Sequence, residues 1–199
     1  MGSTPKRPSK LELYRAFTIK HSSLVNRIVT EVKLTVAYDP TAPPIPPPTL
    51  HPTSALWDTG ATRSCITQSV ANRLGLTPIG TGMVTHAGGS ESKNTYLVNV
   101  YLPNGVAIAG LVVSEFNETA QFGVIIGMDV IAQGDFSITN FNNQTWASFR
   151  IPSIQGIDYV QQANKIRFAG VGRNEPCPCG KRDANGKPMK FKRCHGLSA

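Results

Sequence analysis

Apolar and polar positions alternate with a period of two in short stretches along most of this chain, and turn residues separate the stretches. Val32, Leu34 and Val36 alternate with polar neighbours over residues 31–38, which predicts a half-buried strand. Residues 54–57 and 64–67 predict two further strand pieces. Residues 67–74 predict a short helix, with Thr67 as N-cap and Gly75 just past its end. Residues 83–87 and 93–102 predict a long hairpin turning at Gly88-Gly89-Ser90. Asn104-Gly105 predicts a two-residue hairpin turn into a strand over 106–114. A buried strand over 124–127 ends at Gly127, and residues 128–133 suit one or two helical turns. Strands over 136–139 and 146–151 close a meander, and a short helix is expected over 11–17. The pattern is that of a mostly β fold with one or two short helices and no internal repeat.

Seven prolines fall within residues 40–52, a run that favours polyproline II over sheet or helix. It suits a stiff surface loop between two strands, with docking into an aromatic groove as the alternative. The longest apolar stretch near the middle, residues 106–113, contains Gly110 and is far too short to span a bilayer. No signal-peptide pattern follows the basic start, so a soluble cytoplasmic protein with no membrane partner is expected. Charge changes the picture only at the ends. Residues 1–20 carry net +4, residues 170–199 net +5, and the stretch between them net −1. Such ends either keep the chain soluble or attract a polyanion such as RNA or the ribosome.

The candidate chemistry begins at Asp58-Thr59-Gly60-Ala61, which follows the apolar pair Leu56-Trp57 and occurs once. A carboxylate on a tight Gly turn entered from a strand can activate water if a second carboxylate faces it and the pair shares a proton. One copy per chain then requires a symmetric dimer. Asp58 is the candidate general base and acid, Thr59 a hydroxyl that locks the loop, and Gly60 a turn that a Cβ would block. The competing reading is a surface Asx turn. Cys65 reads as a small core residue beside this turn, and His86 as an exposed polar residue near a hairpin tip. His21 and His51 carry no signal.

Three segments in fixed order resemble the retropepsins, the single-domain dimeric aspartic proteases of retroviruses and their cellular and bacterial relatives. They are residues 56–61, the hairpin at Leu102-Pro103-Asn104-Gly105, and Val124-Ile125-Ile126-Gly127-Met128-Asp129. The resemblance covers roughly residues 25–150. It implies a closed β-barrel protomer, peptide-bond hydrolysis, and an apolar strand at 125–127 threading behind the catalytic loop. It also implies a flap and substrate-contacting set of Ala61, Thr85, His86, Ala87, Gly88, Gly89 and Ile126. The family's dimer-stabilising Asp and Arg are replaced here by Thr62 and Met128, with Arg63 and Asp129 as possible substitutes.

The tail carries Cys177-Pro178-Cys179 and, after fourteen intervening residues, Cys194-His195. Three thiolates and one imidazole make a tetrahedral zinc set, and so short and charged a segment needs the metal to fold. The alternative is free thiols in a disordered tail. Gly172-Arg173-Asn174-Glu175-Pro176-Cys177-Pro178-Cys179-Gly180 with Lys192-Arg193-Cys194-His195-Gly196 resembles the SEC-C motif of bacterial proteins, which implies an adaptor that docks on proteins or ribosomes. The middle of the motif is enlarged, with a turn expected at Asn185-Gly186.

The expected organisation is a basic segment at 1–20 and a protease-like domain at 21–160 with the Pro-rich insertion at 40–52. A linker at 161–171 and a zinc module at 172–199 follow. The expected function is a homodimeric aspartic endopeptidase recruited to protein, ribosome or RNA partners by a structural zinc tail, with no cofactor for catalysis. The alternative is a non-catalytic dimeric adaptor that works through the zinc module.

Overall fold

The computed structural model describes residues 15–86, 89–117 and 121–198. The chain divides into two compact units after Ile154.

The first unit is mostly β. Its larger sheet contains β2 (Ile28–Val36), β3 (His51–Trp57), β4 (Cys65–Thr67), β5 (Gly80–His86), β6 (Gly89–Tyr101), β7 (Ala107–Phe116) and β8 (Val124–Ile126). The strand order is β2-β3-β8-β4-β7-β6-β5, with β2 also pairing β6. A smaller sheet runs β1 (Ala16–Lys20), β10 (Gln144–Arg150), β9 (Asp135–Phe141), all antiparallel. The strand β1 replaces the end of the helix expected over 11–17; residues 1–14 lie outside the described residues. Among the described residues of the unit there are two short helices, α1 (Gln68–Arg73) and α2 (Met128–Ile131).

Local chemistry explains the boundaries. Thr67 caps α1 by accepting the Val70 N–H, and Gly75 follows at φ +63°. The turn between β6 and β7 holds three residues rather than two. Leu102 N–H reaches Val106 O at 2.9 Å, and Gly105 takes φ +77°. The β9–β10 turn uses Asn142 and Asn143, both at positive φ, a pair that tolerates the left-handed region a tight hairpin needs. Pro52, the last proline of the run, enters β3 opposite Lys33, while residues 40–47 stay exposed.

The core follows the alternation. Val32 and Leu34 of β2, Val98 and Val100 of β6, Val113 of β7 and Ile126 of β8 are all buried. Each fully buried side chain of this kind stabilises the fold by about 1.5–3 kcal/mol relative to exposure. Trp57 ties the two sheets together. Its indole N–H donates to Thr30 Oγ1 at 3.0 Å, its ring stacks on Phe136 at 5.4 Å, and Phe17 and Phe149 pack against it at 5.6 and 5.0 Å.

The second unit, residues 155–199, holds α3 (Tyr159–Arg167), which Asp158 caps through the Gln161 N–H at 2.9 Å. Most of the stretch expected as a linker, 161–171, is therefore helical. Its small core is Phe168, Cys177 and Phe191, with Val171 and Cys194 against it. The expected turn at Asn185-Gly186 is present: Gly186 takes φ +76° and its N–H donates to Asp183 O at 3.0 Å. Among the described residues, no helix is long and apolar enough to cross a membrane.

Candidate functional site

Asp58 lies on the loop that joins β3 to β4, and β8 runs between those two strands. It pairs parallel to β3 through Ala55–Val124, Leu56–Ile125 and Trp57–Ile126, and antiparallel to β4 through Cys65–Ile125. The loop thus crosses the end of β8. Asp58 N–H donates to Ile126 O at 3.0 Å. The Asp58 carboxylate is half-buried and accepts the Gly60 N–H on Oδ1 at 2.8 Å. A Cβ at Gly60 would lie 3.2 Å from that same oxygen, which is why the turn suits glycine. Thr59 is exposed, and Ala61 is half-buried with its N–H on Asp58 O at 3.2 Å.

Gly127 is the tightest of the glycines at this loop. A Cβ there would lie 2.6 Å from the Arg63 carbonyl carbon and 2.9 Å from Ala61 O, so only glycine lets the end of β8 touch the loop. Met128 N–H then donates to Ala61 O at 2.8 Å and Asp129 N–H to Thr62 O at 3.3 Å. The Asp129 carboxylate takes the Ser64 N–H at 2.9 Å and the Ser64 hydroxyl at 2.7 Å. Asp129 was expected as a substitute for a dimer salt bridge. Within the chain both of its oxygens accept from Ser64, and Arg63 is exposed. Ser64 carries no sequence signal of its own; a lone serine after an Arg announces nothing until the fold brings Asp129 to it.

The expected flap and substrate residues separate. Thr85 and Ser90 share a hydroxyl hydrogen bond of 2.9 Å across the β5–β6 hairpin, and His86 pairs with Gly89 in the backbone register. Ala87 and Gly88 lie outside the described residues. Ile126 is fully buried within the chain and pairs with Trp57 of β3. An open pocket of about 290 Å³ lies beside Asp58, lined by Val25, Arg27, Leu56, Trp57 and Ile138. Cys65 is half-buried next to the loop. Burial pushes its thiol up, and the Asp129 and Asp58 carboxylates add to the rise. Cys65 was expected as a small core residue; it stands half-buried at the edge of the core rather than within it.

In the second unit, Cys177, Cys179, Cys194 and His195 converge, with their ligand atoms all within 4.8 Å of one another. Cys177 Sγ lies 3.2 Å from His195 Nδ1, and Cys179 Sγ lies 3.6 Å from Cys194 Sγ. Tetrahedral bonds of about 2.3 Å to sulfur place two sulfurs about 3.8 Å apart, so the donor set and its spacing fit zinc. Burial raises the Cys177 thiol, but the Cys179 N–H and the His195 side chain outweigh it and bring it down to about 6. Burial and the neighbouring sulfurs of Cys179 and Cys177 push Cys194 up to about 11. His195 packs against Phe168 at 4.7 Å, and a Cβ at Gly196 would lie 2.9 Å from the Phe191 ring.

Residues 50–130 match the family model described as aspartyl protease, and that span holds the Asp58 loop, the β5–β6 hairpin and Gly127-Met128-Asp129. Similar solved structures include the EIAV protease complexed with the inhibitor HBY-793. It is 22% identical over 55% of this chain and 88% of that chain, with a TM-score of 0.42. A retropepsin-like aspartic protease from Rickettsia conorii is 12% identical over 68% of this chain and 93% of that chain, with a TM-score of 0.38. The simian foamy virus (mac) protease is 13% identical over 52% and 92%, with a TM-score of 0.34. No curated protein matches the chain.

Proposed function

We propose that this chain is a homodimeric aspartic endopeptidase of the retropepsin kind. Asp58 from each of two copies would face the other across one water, and the zinc-binding tail would recruit partners. One observation carries the reading: a single half-buried carboxylate sits on a glycine loop that is fastened at Ala61, Thr62 and Ser64 to residues 127–129. The aspartyl protease match over the same residues supports it. The β2–β6 pairing, which links β2-β3-β8-β4-β7-β6 in a circuit, supports a closed barrel.

Two carboxylates in contact cannot both ionise easily, so one keeps a proton. The ionised Asp58 accepts a proton from the water as it attacks the peptide carbonyl, and the protonated Asp58 of the other copy donates to the carbonyl oxygen. The surface beside the pocket suits a second copy. Leu24, Ile138 and Phe141 expose 57%, 48% and 68% of their area, and β9 is an edge strand. Ala61 and the β5–β6 hairpin, including Thr85, His86, Ala87, Gly88 and Gly89, remain our candidates for gripping substrate.

In the tail, zinc held by Cys177, Cys179, Cys194 and His195 would serve structure, since four protein ligands leave no open position. The unit carries nine Lys/Arg and three acidic residues, and Asp158, Glu175 and Asp183 each accept backbone N–H groups nearby. That leaves a positive surface for a protein, ribosome or RNA partner, and it favours the adaptor as a second reading if no peptide is cut. Cysteines held as metal ligands rather than in disulfides suit a reducing compartment, in keeping with the cytoplasmic reading. The test incubates the purified chain with a diverse peptide mixture from pH 4 to 7 beside Asp58→Asn. Cleavage by the wild type alone supports the enzyme. Equal cleavage by both, or none by either, leaves the adaptor.

A further inference from the structure

The loop over residues 58–64 holds Asp58 in place only through its hydrogen bonds, and one residue gathers them at its far end. Ser64 is fully buried. Its N–H and hydroxyl both donate to the Asp129 carboxylate, one to each oxygen, at 2.9 and 2.7 Å. The same hydroxyl accepts the Gly127 N–H at 3.0 Å. The Ser64 hydroxyl thus donates once and accepts once, and the two bonds to the carboxylate belong to the shorter, charge-assisted class. Asp129 is itself fixed. Its N–H donates to Thr62 O at 3.3 Å and its carbonyl accepts Gln133 Nε2 at 2.8 Å.

We infer that Asp129 is the positioning residue for Asp58 and acts through Ser64, an inference that rests on Asp58 being the reacting carboxylate. Asp129 bonds neither to Asp58 nor to anything in the open pocket. Its task is to hold the far end of the loop while Ile126 O holds the near end, at Asp58 N–H. Two donors on one residue demand two acceptors, and a carboxylate supplies both. An amide supplies one and turns an NH₂ toward the other donor. The Ser64 hydroxyl can rotate to accept that NH₂, but the Ser64 N–H cannot change role, so the amide keeps the staple in weakened form. An alanine at either position releases it.

The test uses the full chain carrying Asp129→Ala, Asp129→Asn, Ser64→Ala, Ser64→Thr and the double alanine variant. Catalytic constants are measured on a peptide that the wild type cleaves, at concentrations where specific activity is constant. Each alanine variant is expected to lose about 10²-fold in kcat with KM within about threefold, because misplacing a reacting group by about 1 Å costs that much. The double variant is expected to be no worse than either single, since both remove one staple. Ser64→Thr, which keeps the hydroxyl, is expected within about threefold of wild type, and Asp129→Asn in between. Multiplying losses in the double variant, or a raised KM with kcat kept, overturns the inference. If an alanine variant unfolds, the Asn and Thr variants decide: wild-type kcat in Asp129→Asn together with a large loss in Ser64→Thr overturns it.

Amide hydrogen exchange separates this inference from the protease reading. In Asp129→Asn, amides of residues 59–64 are expected to exchange faster while those of β6 and β7 keep their protection. Unchanged exchange over 59–64 overturns the staple whether or not the chain cuts peptides. Absence of cleavage by the wild type would remove the protease reading and leave exchange to decide the staple.

Discussion

The first unit fastens its key residue with backbone and buried apolar mass; the second gathers its key residues around a point. Leu34, Ile66, Val98 and Ile126 are buried in one continuous core, and the Asp58 loop is laid across strands already paired on both sides. Among its described residues, the apolar core of the second unit is Phe168, Phe191 and Cys177, and its strand pairing is two isolated bridges. A core that small does not offset the conformational entropy of some forty residues, so on the proposed reading a metal held by the four converging side chains would do what the sheet does in the first unit. A chain can therefore lose one unit's order and keep the other's, because the two rest on different interactions.

That contrast is broken most forcefully through the metal. Removing zinc with a chelator, or replacing Cys179 by Ser, should unfold residues 172–198 and leave the first unit intact, since apparent binding energies of structural zinc are about 10–16 kcal/mol at neutral pH. Limited proteolysis followed by mass mapping reads this directly. Cuts confined to the second unit are expected, and an uncut tail in metal-free protein would refute the contrast. The converse change is Leu34→Ala, which should destabilise the first unit by about 2–5 kcal/mol in denaturant unfolding while zinc content stays at one per chain.

A smaller and more local effect should follow Gly127→Ala. Its Cβ meets the backbone of Arg63 and Ala61, which cannot move without moving Asp58. A loss of about 1–3 kcal/mol with a disproportionate loss of peptide cleavage is expected. Equal stability and activity would show that the loop does not rest on β8. The mildest effect is on pH. The Cys177 thiol is lowered to about 6, so it is a ready thiolate at neutral pH and gains a proton as pH falls through that value. Protons then compete with the metal, and zinc affinity should drop by about tenfold per unit below pH 6 for this ligand alone. Cys194, pushed up to about 11, adds its own proton competition throughout this range, so the comparison is with Cys177→Ser; an equal slope in both proteins below pH 6 would show that Cys177 is not a ligand.

The sequence made some of this legible and not the rest, for physical reasons. Alternation at Val32 and Leu34 and the cap at Thr67 are local properties, and the structure shows both, although at the end of β2 Thr35 is buried and Val36 exposed. The four tail ligands were legible because cysteines and histidine at close spacing have few other uses, and the structure brings them together. Strand β1 was hidden, since Ala16–Lys20 pairs only with residues some 130 positions away. The helix α3 was hidden for another reason: none of its residues is buried, so no apolar stripe marks it. The bond between Ser64 and Asp129 joins residues 65 apart, and neither carries a periodicity that points to the other. Ile126 had the family's apolar pattern, but only the sheet shows that its side chain is enclosed.

The central claim is that two Asp58 carboxylates from two copies form one site, and mixing tests it most directly. Wild-type chain is unfolded and refolded with increasing proportions of Asp58→Asn at constant total protein, and cleavage of one short peptide is measured. If the site needs both carboxylates, mixed dimers are silent and activity follows the square of the wild-type fraction, falling to about one quarter in an equal mixture. A linear fall, to about one half, would mean that each chain cuts alone and would contradict the shared site.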